Sequence, residues 1–179
     1  MATDGAHVYL GHGASGSAAT MAPHVKGLRA RGIAATAVQL PRGKAESAVA
    51  AYLRQIAAAH PLVIGGHSFG GRVASLLTAD PPDGAPPIHG LVLLSSPLHR
   101  PGAPDLEVRS AYFPGIACPV LLLSGESDPF ARIDLLREAV KRLPDAELVT
   151  YPKLGHGLAP VLDDALDRVA AFMRSLGRG

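Results

Sequence analysis

The chain has 179 residues, and its 47% apolar content is enough to bury one sizeable core, so a single domain over 1–179 is expected. Its formal charge of +2 comes from 17 basic and 15 acidic residues scattered without runs, which excludes the concentrated positive field that nucleic acid requires. Cys118, the sole cysteine, excludes an intrachain disulfide, and no Cys/His grouping has zinc-ligand spacing.

Taken in chain order, a short apolar run at 7–11 predicts the first strand, and helical spacing of apolar residues over 18–31 follows it. A strand at 33–39, a helix at 46–59, a strand at 61–65, a helix at 69–79 and a strand at 91–94 come next. The proline-rich stretch 96–119 has room for one short helix over 106–112 but for no separate domain. A strand at 120–123, a helix at 133–143, a strand at 147–151 and a helix at 160–176 complete the series. The alternation means βαβ units. The strands are apolar on both faces, as parallel strands covered by helices on either side require. The expected fold class is therefore α/β: a three-layer α/β/α sandwich around a doubly wound, six-stranded parallel sheet with no cap domain. No apolar run approaches the length of a membrane span, and the chain reaches Asp4 and Gly5 before apolar residues accumulate. Together with the lone cysteine, this gives a cytoplasmic location and no membrane association as the expectation.

In such a sheet, ligands bind outside the carboxyl ends of the strands. Four loops emerge there, carrying Gly11-His12-Gly13-Ala14, Gly66-His67-Ser68-Phe69-Gly70, Ser124-Gly125-Glu126-Ser127-Asp128 and Lys153-Leu154-Gly155-His156. The second matches G-x-S-x-G between a strand and a helix, a sharp turn that lifts a serine hydroxyl clear of the backbone. A serine needs an adjacent base to become a nucleophile, and the base needs a partner to hold its tautomer. His156 and Asp128 supply these roles, with Glu126 as the substitute acid if the loop register differs by two residues. The backbone N–H groups of Phe69 and Ala14, or Ser15 in place of Ala14, are expected to receive the oxyanion of the tetrahedral intermediate.

At these residues the sequence resembles the α/β-hydrolase superfamily, from residue 7 to residue 172. Within it, Gly65-Gly66-His67-Ser68-Phe69-Gly70-Gly71-Arg72, Ser96-Pro97-Leu98-His99-Arg100-Pro101-Gly102 and Gly125-Glu126-Ser127-Asp128-Pro129-Phe130 are similar to motifs of a compact, lidless group related to dienelactone hydrolases. That group includes a testis-expressed hydrolase-like protein and a subunit of a chromatin-acetylating complex. The resemblance implies a serine hydrolase acting on a small-molecule ester or related acyl substrate, with no metal or organic cofactor. Two departures stand out. His67 replaces the Arg or Lys usual before the nucleophile, and Ser68 stands where dienelactone hydrolases proper carry Cys. With only 96–119 available after the fourth strand, the site is expected to be shallow and open.

Two alternatives compete with this reading. Gly11-His12-Gly13-Ala14-Ser15-Gly16 also fits the G-x-G-x-x-G turn of an NADP-binding Rossmann-type protein, with Arg42 after the second strand to meet a 2′-phosphate. The other is a binding protein that keeps the fold without turnover. His12, His67, His99 and Arg100 are candidates for substrate contact, while Arg72 reads as a surface or packing residue and Cys118 as a buried structural thiol. His7, His24, His60 and His89 have no partner identifiable from sequence.

Overall fold

Six strands form one all-parallel sheet: β1 (His7–Gly11), β2 (Ala34–Val38), β3 (Leu62–His67), β4 (Gly90–Leu94), β5 (Val120–Gly125) and β6 (Ala146–Tyr151). Their order across the sheet is β2-β1-β3-β4-β5-β6. The computed structural model describes residues 5–103 and 109–177. Among these, the helices are α1 (Ala22–Ala30), α2 (Ala45–Leu53), α3 (Phe69–Ala79), α4 (Ile133–Val140) and α5 (Leu162–Leu176).

The period-two geometry of a strand divides the core into two layers. Tyr9, Ile64, Leu91, Leu93 and Leu122 point to one face, where Tyr52 of α2, Val73 and Leu77 of α3 and Leu136 of α4 cover them. Val8, Leu10, Val63, Val92 and Leu123 point to the other, under Leu28 of α1 and Leu166, Val169 and Met173 of α5. This is the three-layer sandwich that the apolar runs predict. Each such fully buried Leu, Ile or Val contributes roughly 1.5–3 kcal/mol relative to exposure.

Several boundaries differ from expectation. The predicted helix over 18–31 begins as a 3₁₀ turn at Ala18–Met21, and the regular helix starts at Ala22 with Pro23 in its first turn. The helix over 46–59 stops at Leu53, because Gln55 turns its side chain to the Gln39 and Ala51 carbonyls and the Ala57 amide donates to the Tyr9 hydroxyl. α4 stops at Val140 rather than 143. The third strand runs past Gly65 to His67, so the strand itself delivers the serine. The short helix expected over 106–112 lies partly outside the described residues; the connection to β5 holds a 3₁₀ turn at Phe113–Gly115.

The sheet reverses its winding between β1 and β3, whose carboxyl ends are level, Gly11 opposite Gly66. A topological switch point of this kind opens a crevice between the two departing loops. The order is not the 3-2-1-4-5-6 of the dinucleotide fold. In addition, the Gly11–Gly16 loop leads into a 3₁₀ turn before α1 rather than directly into a helix amino terminus. Both features depart from the Rossmann-type site that the NADP-binding alternative requires.

Candidate active site

Ser68 links β3 to α3 with φ 49° and ψ −114°, a strained backbone that a non-glycine residue rarely holds. The strain is imposed by packing. A Cβ at Gly66 or at Gly70 would collide with the backbone of Gly11, so only glycine on both sides of the turn lets β3 and α3 press against β1. Beneath the turn, the fully buried Tyr52 hydroxyl lies 2.7 Å from both the Tyr9 and the Gly65 carbonyl oxygens and accepts from the Gly65 amide at 3.0 Å. The Ser68 amide donates to the Leu94 carbonyl at 2.8 Å, anchoring the turn to β4.

His156 follows β6, and its Nε2 lies 2.8 Å from Ser68 Oγ. Its Nδ1 lies 2.8 Å from Asp128 Oδ2. The Asp128 side chain is fully enclosed, and its second oxygen, Oδ1, accepts from the Phe130 amide at 2.8 Å. A carboxylate only accepts, so Nδ1 is the donor, and Nε2 of neutral His156 presents its lone pair to the serine hydroxyl. The two loops are laced together, since the Ser127 amide donates to the Leu154 carbonyl at 2.8 Å and the Glu126 amide to the Tyr151 carbonyl at 2.9 Å. Glu126 points elsewhere: it accepts from Thr150 Oγ1 at 2.8 Å and lies 3.8 Å from Arg137. The acid in contact with His156 is Asp128.

The remaining candidates divide. Ala14, Phe69 and Arg100 line the open cleft of about 540 Å³ above Ser68. His67 packs its ring 5.4 Å from that of His156 and donates from Nε2 to the His156 carbonyl at 3.3 Å, bracing the histidine's loop. Burial holds the His67 pKa below its ordinary value. His12 is a correction to the expectation of substrate contact. It is buried, with Nδ1 on the Gly13 carbonyl at 2.7 Å and Nε2 accepting from the Leu40 amide at 3.0 Å, so both nitrogens are committed to shaping the loop. His99 is buried in the same manner, between the Arg100 carbonyl at 2.8 Å and the Arg132 amide at 3.0 Å, although its residue borders the cleft. The two rings are braces.

Lys44, Glu46 and Arg72 also line the cleft, and no sequence signal singles them out; Arg72 is salt-bridged to Glu46 at 2.8 Å. Phe130, adjacent to the acid loop, packs its ring 4.5 Å from His156. Cys118 borders a separate cavity of about 470 Å³ at the opposite end of the sheet, where burial pushes its thiol pKa up to about 11. Of the unassigned histidines, His7 bonds Thr36 at 2.9 Å and His60 bonds His89 at 3.1 Å. Among the described residues there is no cluster of three or more metal-ligating side chains, and no helix is long and apolar enough to cross a membrane.

A parallel sheet in the order 2-1-3-4-5-6, with a serine on a strained strand-to-helix turn, defines the α/β-hydrolase class. Residues 34–172 match the sequence profile of the alpha/beta hydrolase domain, and the chain belongs to that family. The fold is similar to that of a monoacylglycerol lipase from Paleococcus ferrophilus (TM-score 0.79, 16% identity, 95% of this chain and 94% of that one). It is also similar to Est1E from Butyrivibrio proteoclasticus (0.76, 17%, 96% and 88%) and to a structure from work on the metagenome-derived lipolytic enzymes LipS and LipT (0.74, 16%, 96% and 95%). At these identities the likeness carries the fold alone. No curated protein matches the chain significantly.

Proposed function

We propose that this chain is a serine hydrolase that cleaves a carboxylic ester or a related acyl bond by two-step acyl transfer. Ser68 Oγ attacks the carbonyl carbon as His156 Nε2 takes its proton. The C–O bond to the leaving group then breaks as His156 returns that proton to the departing oxygen, leaving an acyl-serine. Water, deprotonated by the same nitrogen, releases the acid and restores the serine. Asp128 orients the imidazole and stabilises its cation. The oxyanion is received by the N–H of Phe69, at the unsatisfied amino end of α3, and by that of Ala14. The chemistry needs no cofactor.

The observation that carries this reading is the unbroken line Ser68 Oγ, His156, Asp128, with 2.8 Å at each link and each residue on a different loop. The wide cleft favours small or surface-presented esters over long buried chains. Within the family, we assign the chain to the compact, lidless group related to dienelactone hydrolases on its elbow and acid-loop motifs. The test is turnover of p-nitrophenyl esters of graded acyl length by wild type, Ser68→Ala and His156→Ala. Each variant is expected to lose on the order of 10⁴ or more in kcat while remaining folded. Wild-type turnover in either variant, or none in the wild type, would overturn the proposal.

A further inference from the structure

The chain's formal charge is only +2, yet among the described residues the cleft above Ser68 is lined by Lys44, Arg72, Arg100 and Arg109 and by the carboxylate of Glu46. With Arg72 paired to Glu46, Lys44 and Arg100 leave positive charge at the rim of the cleft. The charges come from three separate stretches: the start of α2, the first turn of α3 and the segment after β4. Glu46 is already engaged, by its own amide and by Arg72 at 2.8 Å, and its pKa is lowered by both. Lys44 and Arg100 are exposed at the rim on different elements. Lys44 makes no capping bond as the residue before α2, and the amino end of that helix adds its own partial positive charge to the same wall. Beside Ser68 and His99, the remaining lining, including Ala14, Phe69, Pro97 and Phe130, is apolar.

We propose that the substrate is an ester carrying a negatively charged group, a carboxylate, which Lys44 and Arg100 attract and hold while the carbonyl lies over Ser68. This rests on the hydrolase reading above. A cleft lined by one sign of charge raises the local concentration of a counter-charged substrate and its rate of encounter. At about 6 Å in water-like surroundings each cation is worth roughly a threefold gain, so removing the pair costs about tenfold.

The experiment compares esters matched in length but not in charge. p-Nitrophenyl monoadipate is set against p-nitrophenyl hexanoate, which puts the carboxylate in the acyl half. The butyrate of 3-hydroxyphenylacetic acid is set against m-tolyl butyrate, which puts it in the leaving group. In one pair the anionic ester is expected to exceed its neutral partner about tenfold in kcat/KM, the excess shrinking as ionic strength rises from about 10 mM to about 500 mM. The double variant Lys44→Gln/Arg100→Gln is expected to lose that excess, and Lys26→Gln, on the exposed side of α1, to keep it. Equal or lower kcat/KM for the anionic ester in both pairs, or an excess unmoved by the double variant, overturns the inference. If all four esters are inert and Ser68 also resists a fluorophosphonate, the hydrolase reading is what fails. The cleft is then judged by calorimetry with monomethyl adipate: binding that the double variant weakens supports an anion site, and no binding overturns it.

Discussion

Replacing Asp128 with Asn removes one charge and almost no volume, and its consequence follows from the two bonds that the carboxylate makes. Oδ1 accepts from the Phe130 amide and Oδ2 from His156 Nδ1, each at 2.8 Å. A carboxylate has two accepting oxygens and a side-chain amide has one. If that oxygen faced His156, the new NH₂ would face the Phe130 N–H, two donors opposed in an enclosed site, at a cost on the order of 1–3 kcal/mol. The oxygen therefore stays with Phe130 and the NH₂ faces Nδ1. Nδ1 must then accept, the ring proton moves to Nε2, and Nε2 donates to Ser68 instead of accepting from it. The imidazole can no longer act as base. The expected loss in kcat for Asp128→Asn is on the order of 10⁴, or about 5.5 kcal/mol of barrier, the known cost of the wrong tautomer in a Ser-His-Asp site. Hydrolysis of p-nitrophenyl butyrate gives the rate, and circular dichroism with a urea midpoint shows whether the fold is kept. A folded variant within about tenfold of wild type would refute the reasoning.

Gly70→Ala forces a Cβ into the Gly11 backbone, which cannot yield as a side chain would, so a loss of at least about 2 kcal/mol in urea unfolding is expected. Gly155→Ala, with nothing within 4 Å of its added Cβ, should stay within about 0.5 kcal/mol by the same measurement. Tyr52→Phe keeps the ring but leaves the backbone groups of Tyr9 and Gly65 beneath the serine turn without their hydroxyl, at about 1–3 kcal/mol, and an unchanged urea midpoint would contradict this. Burial, and then the charge of His67, lower the pKa of His24 from 6.5 to about 4. In that window the unfolded chain binds a proton that the folded chain does not, so this stability is complete above about pH 6.5 and is lost as pH falls toward about 4. The loss is at most about 3 kcal/mol, reduced by whatever solvent screens the partly exposed ring. Urea midpoints at both ends of the window should therefore separate wild type from His24→Gln, and parallel losses in the two proteins would count against it.

The order of strands and helices was legible because each strand is a short run apolar on both faces and each helix carries its own period, both of which are local properties. The four loops were legible for the same reason: they follow directly from where the strands stop. Helix ends were less so. Nothing within 46–59 announces that Gln55 will turn back to Gln39, a contact that exists only once β2 has been laid beside the helix. The histidines show the same division. Ser68, Asp128 and His156 stood out by type and loop position, and the structure brings them into contact. His12 and His99 were equally visible as residues, but their commitment to the Leu40 and Arg132 amides depends on tertiary contacts between segments 28 and 33 positions apart. Lys44, Arg72 and Arg100 are scattered in sequence, so their gathering around one cleft appears only when α2, α3 and the segment after β4 are placed together.

The central claim is that the hydroxyl at position 68 is made nucleophilic by the imidazole at position 156. The most direct measurement is reaction with a fluorophosphonate, followed by mass spectrometry of the digested protein. The account predicts one adduct per chain, on Ser68, formed at least about a thousandfold more slowly in His156→Ala. No adduct, an adduct on another residue, or equal labelling of the two proteins would contradict it.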